Sequence, residues 1–177
     1  MKKTLLLATV VAIAFASASV AAETQKVSLE LRGAFCPGCA KALTAALVQG
    51  GVKDATEIKA NKDVGPASVT GEIAPDADLV KLGTAVNTAK TPHAKQAPPG
   101  VSLVLFAKLD KESAEAALKA LQEVKGVDAT KSKADTKTGQ ISVKLQGADA
   151  AGGAKLNVAD VLGALKKAGI EATLSKT

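Results

Sequence analysis

The segment Gly33-Ala34-Phe35-Cys36-Pro37-Gly38-Cys39-Ala40-Lys41 contains both cysteines of the chain. It follows an alternating apolar and polar run, Lys26 to Arg32, that predicts a strand, and it opens a helix-like run, Ala40 to Gln49. The N-terminus of a helix carries partial positive charge, which favours a thiolate over a thiol. Thiolates bind soft metal ions and attack disulfides. The segment therefore predicts either metal capture or thiol redox chemistry.

Residues 1–22 have the pattern of a secretory signal peptide. A charged start, Met1-Lys2-Lys3, precedes an apolar run from Thr4 to Ala16, and Val20-Ala21-Ala22 fits a small-residue cleavage site. The apolar run is too short to span a bilayer, and no second apolar segment of spanning length follows. We expect cleavage near Ala22, a periplasmic or secreted protein, and no membrane insertion after cleavage. An uncleaved N-terminal anchor is the disfavoured alternative.

The composition excludes two classes of protein. Two cysteines cannot staple a disulfide-dense scaffold, and a Cys-x-x-Cys pair encloses too short a loop to add much stability as a bridge. Nucleic-acid binding uses arginine forks and aromatic stacking platforms. Arg32 is the only arginine, and aromatic residues make up 2% of the chain. We therefore expect the cysteines to be functional and no nucleic-acid partner.

The order strand-helix-strand-strand-helix-strand occurs twice, on the two sides of Ala97-Pro98-Pro99-Gly100. The segment Gly51-Val52-Lys53-Asp54-Ala55 returns as Gly126-Val127-Asp128-Ala129. This repeat predicts an α+β protein with two tandem ferredoxin-like (βαββαβ) domains, residues 23–97 and 98–177. Each would have a four-stranded antiparallel sheet with two helices on one face. One continuous sheet is the alternative, which the Pro-Pro-Gly linker disfavours.

The predicted elements follow from periodicity and from turn residues. Strands are expected at 26–32, 52–60, 66–73, 93–96, 101–105, 130–133, 141–145 and 170–174. Helices are expected at 40–49, from a cap at Asp76, across 114–124, and from a cap at Asn157. Residues 148–154 are expected to form a Gly/Ala loop.

Both halves resemble the heavy-metal-associated domain, and the first half also resembles periplasmic mercury-binding proteins and small copper chaperones. The family motif Gly-Met-x-Cys-x-x-Cys is matched by residues 33–39, and its Gly-Val-x-x-Ala by residues 51–55. Residues 26–97 match well, whereas 101–176 match in pattern only. Two positions depart from the family. Ala34 replaces its methionine, and Pro37 between the cysteines is closer to thiol oxidoreductases.

The resemblance implies an exported, non-enzymatic carrier or scavenger of a soft metal ion, Cu(I) or Hg(II), held by Cys36 and Cys39. His93, in the loop that flanks the family's cysteines, is a third ligand, a group that tunes the thiolates, or a solvent-exposed loop residue. A closed zinc site needs four Cys or His ligands, so zinc is disfavoured. The implied partner is a metal-transporting membrane protein or another metal-binding protein. The second half is expected to hold no metal, with Lys111 opposite Cys36 and Ala114 opposite Cys39.

Two other functions stay open. The first is a periplasmic thiol-disulfide oxidoreductase that uses Cys36-Pro37-Gly38-Cys39, with Pro99 resembling the proline that faces the cysteines of thioredoxin-like enzymes. The second is a structural or docking module whose cysteines are incidental. Phe35 is expected in the core, with a small hydrophobic lid over the loop as the alternative. Lys41 and Lys95 are expected to be solvated surface residues.

Overall fold

A computed structural model describes residues 23–60 and 66–176, and the expected signal peptide lies outside this part of the chain. The described residues form one five-stranded antiparallel sheet in the order β2-β1-β3-β5-β4. The strands are β1 (Gln25–Arg32), β2 (Ala67–Ile73), β3 (Gly100–Phe106), β4 (Lys133–Asp135) and β5 (Gln140–Lys144). The helices are α1 (Pro37–Gln49), α2 (Leu79–Asn87), α3 (Lys111–Gln122), α4 (Ala148–Ala151) and α5 (Val158–Lys167). The α+β class predicted from the sequence is confirmed.

The pairing of β1 with β3 joins the two sequence halves at the centre of this sheet. Leu29 lies opposite Leu103, and Arg32 lies opposite Gly100. On its other edge β1 pairs with β2, and β3 pairs with β5. The first strands of the two repeats are therefore neighbours, and each half extends the sheet outward from them.

The expectation of two separate four-stranded sheets is wrong, because the last strand of each half is missing. Residues 93–96 fold as turns, in which the Ala97 N–H donates to the His93 carbonyl at 2.8 Å. This leaves an edge of β1 unpaired by its own half, and β3 occupies it. At the end of the chain only Thr173 forms a bridge, with Phe106. The division at 97/98 as the limit of two independently folding units stays a prediction.

The repeated Gly-Val segment has the same conformation in both halves. Gly51 and Gly126 have φ of 94° and 91°, in the left-handed region that glycine adopts without strain. Each turns the chain so that the following valine, Val52 or Val127, is buried. The strands expected after them are short. Residues 52–60 contribute one bridge, between Lys53 and Glu72, and in the second half Val127 bridges Leu145 before the three-residue strand β4.

The structure corrects two local predictions about the helices and confirms a third. Helix α2 is capped by Asp78, whose carboxylate accepts from the Val80 N–H at 3.0 Å, and not by Asp76. The expected loop 148–154 contains the short helix α4. The Asn157 cap is confirmed, because its side chain accepts from the Asp160 N–H at 2.9 Å.

The alternating apolar residues of β1, β2, β3 and β5 form a single core with the long helices. Those on the strands are Val27, Leu29, Leu31, Val69, Ile73, Val101, Leu103, Leu105, Ile141 and Val143. Polar side chains alternate with them on the opposite face, where the Ser142 hydroxyl donates to Glu30 at 2.7 Å. No helix in the described parts of the chain has the length and apolarity that crossing a membrane requires.

We predict that Leu103→Ala destabilises both halves together. Leu103 is fully buried between Leu29 and Val143 in neighbouring strands, and removing such a side chain costs about 2–5 kcal/mol. Urea unfolding should show one transition, shifted as a whole, when it is followed by circular dichroism and by exposure of the buried Cys39. Ser102→Ala, on the opposite face, is the matched control. Two transitions of which only one moves would show that the halves unfold independently.

Candidate metal centre

The loop between β1 and α1 begins with a glycine that the fold requires. Gly33 has φ of 91°, and a Cβ there would lie 3.1 Å from the Pro99 Cα and from the Ala97 carbonyl oxygen. Any larger residue would therefore be strained and would push the two segments apart. The chain leaving β1 and the chain approaching β3 pass each other in contact at this point.

Cys36 caps the N-terminus of α1 with its sulfur. It has extended backbone geometry, and its Sγ accepts from the Cys39 N–H at 3.1 Å. Pro37 follows at the first helical position, where the missing N–H is no loss and the fixed φ suits the helix. The Cys-x-x-Cys spacing thus equals the spacing between an N-cap and the third residue of its helix.

His93 joins the two cysteines from the turn that follows α2. Its Nδ1 lies 3.4 Å from the Cys39 Sγ, where either the thiol donates to the ring or the ring N–H donates to a thiolate. One ligand atom from each of Cys36, Cys39 and His93 lies within 4.8 Å of the others. The structure thus brings together the three residues expected from the sequence, in a group that can hold a metal ion. Their role as ligands stays a prediction.

An aromatic ring and a proline border this group. Phe35 is half-buried and not in the core, so that expectation is wrong; Ala34 takes the buried position instead. The Phe35 ring lies 5.1 Å from the His93 ring at an angle of 54°. Pro92 lies close to Gly38, since a Cβ on Gly38 would come within 3.6 Å of the Pro92 Cγ.

The two thiols differ in acidity because they differ in burial and in hydrogen bonding. The hydrogen bond with the Cys39 side chain, together with the backbone N–H groups of Cys39 and Gly38, lowers the pKa of Cys36. Burial raises the pKa of Cys39, and its hydrogen bond to Cys36 raises it further. Cys36 is accessible to solvent, whereas Cys39 is buried. Cys36 is therefore the thiol that first becomes a thiolate as the pH rises.

The second half places a capping box where the first half has its cysteines. The Asp110 carboxylate accepts from the Ser113 N–H at 2.8 Å, as Cys36 does from Cys39. The equivalent positions are therefore Asp110 and Ser113, one residue before the expected Lys111 and Ala114. The shift arises because three residues, 123–125, separate α3 from Gly126, whereas Gly50 alone separates α1 from Gly51; since α3 is one residue shorter than α1, the net shift is one residue. Lys41, Lys95 and Lys111 are exposed.

Comparison with known proteins gives only distant likeness. No protein-family profile and no curated protein matches the chain. One similar solved structure is the water-soluble region of the P-type ATPase CopA from Bacillus subtilis, with 15% identity, a TM-score of 0.34, and coverage of 87% of this chain and 93% of that one. Another is the N-terminal soluble domains of the same protein, with 14% identity, a TM-score of 0.35, and coverage of 87% and 95%. Overlaps of this size do not establish a common fold.

We predict that the two thiols react with iodoacetamide in a fixed order. Cys36 should be alkylated first and at a pH below that of an ordinary thiol, because its lowered pKa gives more thiolate and it is only partly buried, whereas Cys39 is buried. Cys39 should react only when the chain unfolds. Mass spectrometry of the reduced protein across pH 6–9 measures both rates. Faster reaction at Cys39 would contradict the assignment of the acidic thiol.

Proposed function

We propose that the protein binds a single soft metal ion, Cu(I) or Hg(II), as an exported carrier or scavenger. The observation that supports this most directly is the convergence of two thiols and one imidazole within 4.8 Å. Soft thiolate ligands select ions of this kind over hard cations such as Mg²⁺ or Ca²⁺. Two thiolates suffice for a low-coordinate ion, whereas structural zinc takes four Cys or His ligands.

The spacing of the ligand atoms suits one shared ion. A thiolate–metal bond is about 2.3 Å long in zinc sites, so an ion can bridge ligand atoms up to about 4.6 Å apart. Ligand atoms that all lie within 4.8 Å of one another need only small side-chain movements to meet this limit. The Cys36 sulfur already lies at the N-terminus of α1, where the helix dipole favours negative charge.

The unequal burial of the ligands provides a route for transfer. The accessible Cys36 would take the ion first, and the buried Cys39 would then close the site. Release would follow the reverse order, as thiolates of an acceptor replace Cys39 and then Cys36 by ligand exchange. This route involves no covalent change in the protein. The acceptor would be a metal-transporting membrane protein or another metal-binding protein outside the cytoplasm, where the signal-like residues 1–22 would direct the chain.

We predict that Cys36→Ser and Cys39→Ser each abolish tight one-to-one binding of Cu(I). A single thiolate with one imidazole is a poor soft-metal site. Cys36→Ser should keep the fold, because serine is a good N-cap and can accept from the Cys39 N–H. Titration against a chromophoric Cu(I) chelator measures the affinity, and circular dichroism checks the fold. Retained binding in a folded Cys36→Ser protein would rule out the two-thiolate site.

A thiol-disulfide oxidoreductase is the second candidate, favoured by the accessible acidic Cys36 beside the buried Cys39. In such an enzyme Cys36 attacks a substrate disulfide and Cys39 then resolves the mixed disulfide. The Cys39→Ser variant separates the two functions, because an enzyme lacking its resolving thiol would trap partners through Cys36. Trapped mixed disulfides, together with no Cu(I) binding by the reduced wild type, would favour the enzyme.

We predict that His93→Ala weakens Cu(I) binding about ten- to a hundredfold, the usual effect of losing a group that contacts a metal or its ligand. The reason is the 3.4 Å contact between His93 Nδ1 and Cys39 Sγ. Lys95→Ala, an exposed change two residues away, is the matched control. The same chelator titration measures both. Equal affinity in the two variants would make His93 an ordinary loop residue.

A further inference from the structure

A second group of side chains surrounds a cavity of about 350 Å³ at the end of the sheet near the cysteine loop. We call it the basic pocket and define it by Arg32, Asn87, Asp128, Lys131 and Lys144. These residues come from β1, α2, β5 and the segment before β4. Pro99, which contacts Gly33 of the cysteine loop, also lines the cavity. The metal-binding proposal does not use any of the five defining residues.

The backbone leaves space for the ammonium group of Lys144. Gly100 lies opposite Arg32 in the sheet, and the Lys144 Nζ occupies the position where a Cβ on residue 100 would stand. The φ of Gly100 lies outside the left-handed region, so its backbone conformation does not call for glycine. The missing side chain serves to admit the lysine. Any larger residue at position 100 would displace the ammonium group.

The charges of the basic pocket are not balanced within the described residues. Asp128 is its one carboxylate, and it is engaged by Lys131 at 3.0 Å and by the Thr130 hydroxyl at 2.6 Å. In the described parts of the chain, no carboxylate lies within ion-pair distance of Lys144. Three cations against one carboxylate leave a surplus of two positive charges. The only arginine of the chain is among them.

The position of Lys144 is unfavourable for a charged amine. Burial, together with the positive charges of Arg32 and Lys131, lowers the pKa of Lys144 to about 8, against the opposing effect of Asp128. A partly buried charge without a partner destabilises a fold. Such an arrangement becomes favourable when an anion occupies the cavity, because each cation then gains a charge-assisted hydrogen bond.

We propose that the basic pocket binds inorganic phosphate as its dianion, hydrogen phosphate. The surplus of two positive charges matches a dianion, and the guanidinium fork of Arg32 can hold two of its oxygens at once. The cavity is concave and bordered by five separate segments, which suits a small ligand. Hydrogen phosphate also has an O–H group to donate, whereas sulfate has none.

Asn87 supplies the acceptor that this O–H group needs. Its Nδ2 donates to the Leu145 carbonyl at 3.4 Å, which turns its Oδ1 toward Gly100 and Lys144. The Oδ1 is buried and has no hydrogen-bond partner among the described residues. A buried acceptor without a partner costs free energy, so it marks a place for a donor. Hydrogen phosphate should therefore bind more tightly than sulfate.

The test is calorimetric titration of the reduced, metal-free full chain with inorganic phosphate, sulfate and glycerol 3-phosphate, with ionic strength held constant by NaCl. We expect saturable one-to-one binding of phosphate that is weakened at least about tenfold in Lys144→Met and in Gly100→Ala. Lys133→Met, on the exposed strand β4, removes the same charge elsewhere and should bind as the wild type does. Glycerol 3-phosphate, whose dianion has no phosphate O–H to donate to Asn87, should bind more weakly than phosphate, and tighter binding would contradict the role given to Asn87.

Thermal unfolding provides a second readout, which does not require the heat of phosphate binding to be large enough for calorimetry. Without phosphate, Lys144→Met should unfold at the wild-type temperature or above it, because an unpaired, partly buried charge is removed. With phosphate, only the wild type and Lys133→Met should gain in melting temperature. An equal gain in all variants, or sulfate binding as tight as phosphate, would overturn the proposal. The exposed change Lys131→Met tests the same point should Lys144→Met fail to fold.

Discussion

The antiparallel pairing of β1 with β3 determines where the chemistry of this protein lies. Its last pair, Arg32 with Gly100, brings the cysteine loop that leaves β1 against the segment that leads into β3. The close approach of Gly33 to Pro99 follows from this register. His93 precedes β3 by only a few residues, so the same pairing carries the imidazole to the thiols.

The two halves use one capping geometry with different atoms. In each, an N-cap side chain accepts from the N–H three residues later, through sulfur at Cys36 and through a carboxylate at Asp110. A carboxylate is charged at neutral pH and stabilises the helix on its own, so the second half gains a stable helix start. A sulfur acceptor is weaker, and it leaves Cys36 accessible for a ligand. The first half thus has a weaker helix cap than the second half, but it has an accessible thiol at the N-cap position.

Local patterns in the sequence predicted most of the helices and strands, whereas the pairing of distant strands in the sheet could not be predicted from these patterns. Alternation in 26–32 and 101–105 and the cap at Asn157 are local signals, and the structure bears them out. The strand expected at 93–96 has no alternating apolar pattern to support it, and turn hydrogen bonds at His93 override it. The prediction that Phe35 lies in the core was wrong, because the preceding residue, Ala34, is buried there instead. The basic pocket joins residues more than 100 positions apart, which no periodicity indicates.

The thiol group and the basic pocket share one electrostatic property. Each gathers groups of one charge sign: three cations in the basic pocket and, once both cysteines are deprotonated to bind a metal ion, two thiolates. Each becomes favourable when an ion of opposite sign neutralises it, so part of the stability of this end of the sheet depends on bound ligand. Both groups adjoin Gly33 and Pro99, the contact that the β1–β3 register creates. A ligand in either site therefore stabilises the same junction of the two halves.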